Sequence, residues 1–154
     1  MRRINIATPD FTYDHEDPEG YKAGMLALGE RLGAKESGAT VFELAPGQAV
    51  CPYHYEIGEE EWLLVLEGNP TLRHPEGSEQ LEPWDVVVFP RGPEGAHKVG
   101  NEGTGRARVL FFSTVTAPTA TVYPDSGKVG IYTGDAETEL IVKGEPADYY
   151  DGET

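Results

Sequence analysis

Cys51-Pro52-Tyr53-His54-Tyr55-Glu56-Ile57-Gly58-Glu59-Glu60-Glu61-Trp62-Leu63-Leu64-Val65-Leu66-Glu67-Gly68 is the stretch on which the reading of this chain turns. Alternate side chains of an extended strand share a face. His54 and Glu56 therefore project together. A turn over residues 57–60 lets Glu61 open the next strand towards the same side. His97 arrives on a separate segment, behind Pro90-Arg91-Gly92. Two imidazoles and two carboxylates so placed form a candidate cage for a divalent metal.

The surroundings read as short strands. Residues 39–44, 50–56 and 61–67 are apolar or alternating runs ended by Gly and Pro. Residues 71–74 and 79–81 suggest a hairpin around Pro75-Glu76-Gly77-Ser78. Residues 84–89 are nearly continuously apolar, which predicts burial on both faces. Residues 96–99 are expected to pair with 106–114 across Asn101-Glu102-Gly103-Thr104-Gly105. With 19 Gly and 12 Pro as punctuation, this predicts an all-β jelly roll or small closed barrel.

Outside that block the pattern weakens. Residues 8–20 read as an irregular acidic arm. Residues 21–32 fit a short helix or a bent strand, and two glycines weaken the helix. After Pro118, residues 121–123, 129–132 and 139–142 read as short strands, followed by an acidic tail.

The chain has 154 residues, the size of one domain with its own core. Its 27 acidic and 12 basic residues give a net charge of −15. A polyanion repels nucleic acid and anionic membrane, so neither is expected as a partner. Cys51 is the only cysteine, which rules out an intramolecular disulfide. The N-terminus lacks the apolar run of a secretory signal, and no window approaches the roughly 20 apolar residues of a membrane span. A cytoplasmic location is the expectation.

The two halves of the site together resemble the cupin superfamily. Its first motif is similar to Gly47, His54-Tyr55-Glu56, Glu61 and Gly68. Its second is similar to Pro90-Arg91-Gly92, His97 and Asn101. Three positions depart from the pattern. Glu56 stands where a second histidine is usual, and Trp84 where a glycine is usual. Four residues, not two, separate Gly92 from His97.

The resemblance implies a cupin-type jelly-roll β-barrel with extensions: an N-terminal arm over 1–38, a barrel core over 39–115 and a C-terminal extension over 116–154. It implies metal ligands His54, Glu61 and His97, with Glu56 as a fourth ligand or a general base beside the metal. Mn, Fe, Ni or Zn suits such donors. It also implies a homodimer, and a small organic molecule bound in the barrel. The leading expectation is a metal-dependent enzyme of oxygenase or isomerase/lyase type. The alternatives are a non-catalytic small-molecule or sugar-binding cupin, or a metal-free barrel.

Other residues receive plainer readings. Glu59 and Glu60 read as solvated turn residues. Cys51 falls on the alternation opposite His54 and so away from the site. His74 sits in a hairpin tip and His15 in the arm. Asn101 shapes the turn after His97. Trp62 reads as core.

Overall fold

The computed structural model describes residues 1–135, 138–144 and 146–153. It is built almost entirely of antiparallel strands, and the fold is a jelly roll. One sheet contains β1 (Gly24–Ala27), β2 (Ser37–Leu44), β4 (Glu61–Glu67), β7 (Val86–Phe89) and β9 (Ala107–Thr114), in the order β1-β2-β9-β4-β7. A second contains β5 (Thr71–His74), β6 (Gly77–Gln80) and β8 (Lys98–Gly100), in the order β6-β5-β8. A third joins the two-residue β3 (Tyr55–Glu56) to β10 (Thr119–Tyr123), β11 (Lys128–Tyr132) and β12 (Leu140–Lys143).

The inward faces of the first two sheets bury one core, which includes Leu44, Leu63, Val65, Leu72, Phe89, Val99 and Val109. Each such side chain contributes about 1.5–3 kcal/mol relative to an exposed one. On the outer face of the large sheet, Leu26, Leu28 and Val41 pack beneath Ile4, Ile6 and Phe11 of the arm. Residues 21–32 resolve as both proposed forms: the strand β1 runs into a single helical turn, α1 (Leu28–Leu32), which ends at Gly33 in the left-handed conformation (φ 78°).

Four expectations change. Residues 96–99 do not pair with 106–114: β8 pairs with β5, while β9 lies between β2 and β4. Placing successive strands in opposite sheets lets their inward side chains meet across the core. Residues 84–89 are not buried on both faces. β7 is an edge strand with Val86 57% and Val88 42% exposed. Trp62, beside Val88 on that outer face, is 37% exposed rather than core. Finally, residues 50–56 are not one strand. Only Tyr55–Glu56 pairs regularly, with isolated bridges Ala49–Gly100 and His54–His97 before it. Pro52 has no N–H to give to a ladder.

Two backbone positions explain the motif spacing. Gly68 has φ 76°, and an added Cβ would collide with the Arg106 carbonyl. Trp84 is the one non-glycine residue with positive φ among those described (φ 78°). It occupies the place where the resemblance expects glycine, at a cost of about 1–2 kcal/mol.

Candidate metal centre

His54 and His97 face each other across the break between sheets. His54 N–H donates to the His97 carbonyl (3.1 Å) and His97 N–H to the His54 carbonyl (2.8 Å). This reciprocal pair sets the two rings side by side, with centroids 4.6 Å apart. His97 is further clamped by the Phe89 ring, stacked at 3.7 Å. Glu61 enters from the first residue of β4, held by β9 on one side and β7 on the other.

The donor atoms of His54, Glu61 and His97 all lie within 4.8 Å of one another. Glu61 Oε2 is 3.4 Å from His97 Nε2 and 3.8 Å from His54 Nε2. Ligands about 2.0–2.1 Å from a shared ion stand roughly 3–3.4 Å apart. Both imidazoles are oriented by backbone. His54 Nδ1–H donates to the Pro52 carbonyl (2.9 Å) and His97 Nδ1–H to the Gly95 carbonyl (2.9 Å). That leaves both Nε2 lone pairs for the centre. His97 Nε2 and Glu61 Oε2 are buried, with no hydrogen-bond partner among the described residues. Buried polar atoms are nearly always paired, so a cation bridging these donors fits the residues present.

The electrostatics agree. Burial raises the Glu61 carboxyl to about 7, helped by the nearby Glu56 and Glu59 charges. Burial, then repulsion from His54, lowers His97 to about 3. Burial also lowers His54. The imidazoles are thus neutral, the form that ligates metal.

Glu56 stands beside the trio. Its Oε1 lies 3.6 Å from His54 Nε2, so the two side chains project together as the alternation predicts. Its Oε2 accepts a hydrogen bond from Thr121 Oγ1 (2.7 Å). Burial raises its pKa, and the Thr121 bond offsets part of that rise. Cys51 does face the site, contrary to the alternation argument: its Sγ is 3.5 Å from His54 Nδ1. The irregular backbone at residues 50–54 breaks the parity on which that argument rested. Burial drives the Cys51 thiol well above its usual range, so it stays protonated. Glu59 is not a free turn residue either, since its carboxylate accepts the Thr116 N–H (2.8 Å). Glu60 is exposed, and His15 and His74 lie apart from the centre. Asn101 is buried and shapes its turn, donating to the Leu44 and Gly105 carbonyls and accepting from Gly103 N–H.

Two compartments meet at the centre. The inner one, ≈ 260 Å³, lies against His54, Glu61 and His97 with Phe42, Val50 and Phe111. The outer one, ≈ 320 Å³, is walled by His54, Glu56 and the C-terminal strands. Those strands supply residues that sequence reading missed. Tyr123 stacks near His54 (6.0 Å between centroids) and its hydroxyl lies 3.0 Å from that of Tyr132. Burial and that contact raise the Tyr123 pKa. Their strand character was visible in the sequence, but not their pairing with β3.

Residues 40–113 match the Cupin domain family. That segment is a cupin domain. The cupin barrel shares its fold with a sugar phosphate isomerase of the cupin superfamily from Silicibacter pomeroyi: 22% identity, 96% of this chain and 98% of that one, TM-score 0.80. A candidate sugar phosphate isomerase from Acidithiobacillus ferrooxidans is 24% identical over 84% of this chain and 83% of that one, with TM-score 0.75. A polyketide cyclase from Streptomyces resistomycificus is 23% identical over 77% and 83%, with TM-score 0.62. No curated protein matches the chain in sequence.

Proposed function

We propose that this cupin is a metal-dependent enzyme that moves a proton on a small organic molecule held in the barrel, an isomerase-type reaction. His54, Glu61 and His97 hold one divalent ion, of the Mn, Fe, Ni or Zn class. The observation that carries this reading is the pair of buried atoms Glu61 Oε2 and His97 Nε2, 3.4 Å apart and without a hydrogen-bond partner among the described residues. When bound, the ion would polarise a substrate oxygen and favour loss of a proton from the adjacent carbon. Glu56 is the base. It lies next to the trio, and burial raises its pKa towards the range in which a carboxylate both takes and returns a proton. Thr121 fixes one of its oxygens, which orients the other. Tyr123 and Tyr132 close the outer compartment over it.

Elemental analysis of the purified protein and of Glu56→Gln tests this reading, together with NMR of a panel of aldoses and ketoses in deuterated water. Both proteins should carry about one equivalent of metal, and only the wild type should place deuterium beside the carbonyl. Wild type that takes up no metal when offered Mn, Fe, Ni and Zn would sink the proposal.

One feature favours a second reading. Two histidines and one carboxylate with open positions form the ligand set of non-haem iron oxygenases. Oxygen consumption by the Fe(II)-loaded protein, with no deuterium exchange, would select it. The exposed apolar face formed by Trp62, Val86, Val88 and Phe112 supports pairing of two copies. A monomeric mass in solution would remove that part.

A further inference from the structure

The outer compartment is walled by carboxylates and hydroxyls. Glu56, Glu59 and Glu139 line it, with Thr116, Thr119 and Thr121. Among the described residues lining either compartment there is no lysine or arginine. Lys98 and Lys128 line a different groove, shared with Tyr21, Tyr53 and Asp125. Lys98 lies over the Tyr21 ring at 5.2 Å and Lys128 over the Tyr123 ring at 5.3 Å. The whole chain adds a net charge of −15.

We propose that this compartment selects an uncharged polyhydroxylated substrate, an unphosphorylated sugar or polyol, and rejects the corresponding phosphate ester. The proposal deepens the isomerase reading and rests on it for the reaction, but not for the selectivity. Carboxylates are acceptors only, and ligand hydroxyls are the donors that satisfy them. One Glu56 oxygen is engaged by Thr121 and one Glu59 oxygen by the Thr116 N–H, so each side chain is fixed and keeps a second oxygen for a ligand. Thr119 lines the same space, its hydroxyl oxygen buried. A phosphate dianion would meet three carboxylates there and, among the described lining residues, no lysine or arginine, so apart from the proposed metal ion nothing in the wall offsets its charge, and like charges brought together at a binding site discriminate strongly. A sugar phosphate, the class named for two of the fold neighbours, is thus the ligand against which the wall is built.

Saturation-transfer NMR titrations on the full chain test this, with D-xylose and D-fructose against D-ribose 5-phosphate and D-fructose 6-phosphate. Each is run on the metal-loaded protein and again after chelation, with metal content measured on the same samples. At least one free sugar should bind about tenfold or more tighter than either ester. Glu59→Gln, which keeps an acceptor for the Thr116 N–H, should narrow that preference, and Glu139→Lys should narrow it further. An ester that binds as well as the free sugars overturns the proposal, as does failure of both free sugars to bind. Protein that takes up no metal yet prefers free sugars refutes the isomerase reading and leaves the selectivity standing. Metal-loaded protein that prefers esters does the reverse.

Discussion

The two walls of this site are built on different principles. The inner wall is held by backbone. His54 and His97 are locked by reciprocal main-chain hydrogen bonds, and Glu61 opens a strand paired on both sides. The outer wall is held by side chains. Thr121 reaches Glu56, Tyr123 meets Tyr132, and the strands carrying them pair with the barrel through the two-residue β3, with Arg73 of β5 donating to Asp125 in the turn after β10. The end of that sheet is β12, whose four residues are all exposed. A wall fixed by its backbone cannot change ligand geometry without losing the core. A wall fixed by side chains can be altered residue by residue. On the proposed reading, this division separates the metal donors from the residues that would select a substrate.

The largest test of that contrast concerns stability. Leu63 is fully buried beneath the site, and Leu63→Ala should cost about 2–5 kcal/mol by denaturant unfolding. Ile131→Ala in the extension should cost well under that. Equal losses would show that the extension is as integral as the barrel. Next comes Glu61→Gln, expected to weaken metal binding by more than about 100-fold in calorimetry, since it removes the only carboxylate of the trio. Without metal, the same variant should be no less stable at pH 8. The raised Glu61 pKa means that ionisation from pH 4.5 to about 7 works against the folded state.

The third effect is proton competition. Glu61 must shed its proton to bind metal, so affinity should climb about tenfold per pH unit up to about 7 and then level. His97, lowered to about 3, should add no second break near 6.5, and His54 is displaced below its usual range by burial. Titrations in buffers of different ionisation enthalpy would count the proton released. The smallest effect belongs to the outer wall. Thr121→Val removes a hydrogen bond that favours the Glu56 carboxylate, so its pKa should rise further. Carboxyl NMR would read that shift, while metal affinity should move less than twofold.

Much of the inner wall was legible in the chain. Glu61–Glu67 and Thr71–His74 read as strands with these limits, because alternation and turn residues are local signals. The outer wall was not. Strand alternation points Cys51 away from the site, but alternation holds only along a regular strand, and residues 50–54 are not one. Glu59 looked solvated because Thr116, its partner, lies 57 residues further along the chain. At the edge of the large sheet, residues 84–89 read as doubly buried because an apolar run carries no mark of whether a neighbouring strand covers it.

Alone, the sequence determined the residue types and the spacing. These are the histidine and carboxylate pair two apart, the third donor after a turn, His97 behind Pro90-Arg91-Gly92, and the punctuated strands that make a jelly roll. All are set by strand period and turn chemistry within a few residues. The tertiary structure decided which donors converge, which of them burial leaves without a partner, and that β10 docks on β3 to wall the site with hydroxyls and carboxylates. Those outcomes depend on desolvation and on contacts between distant segments, and both exist only once the sheets have packed.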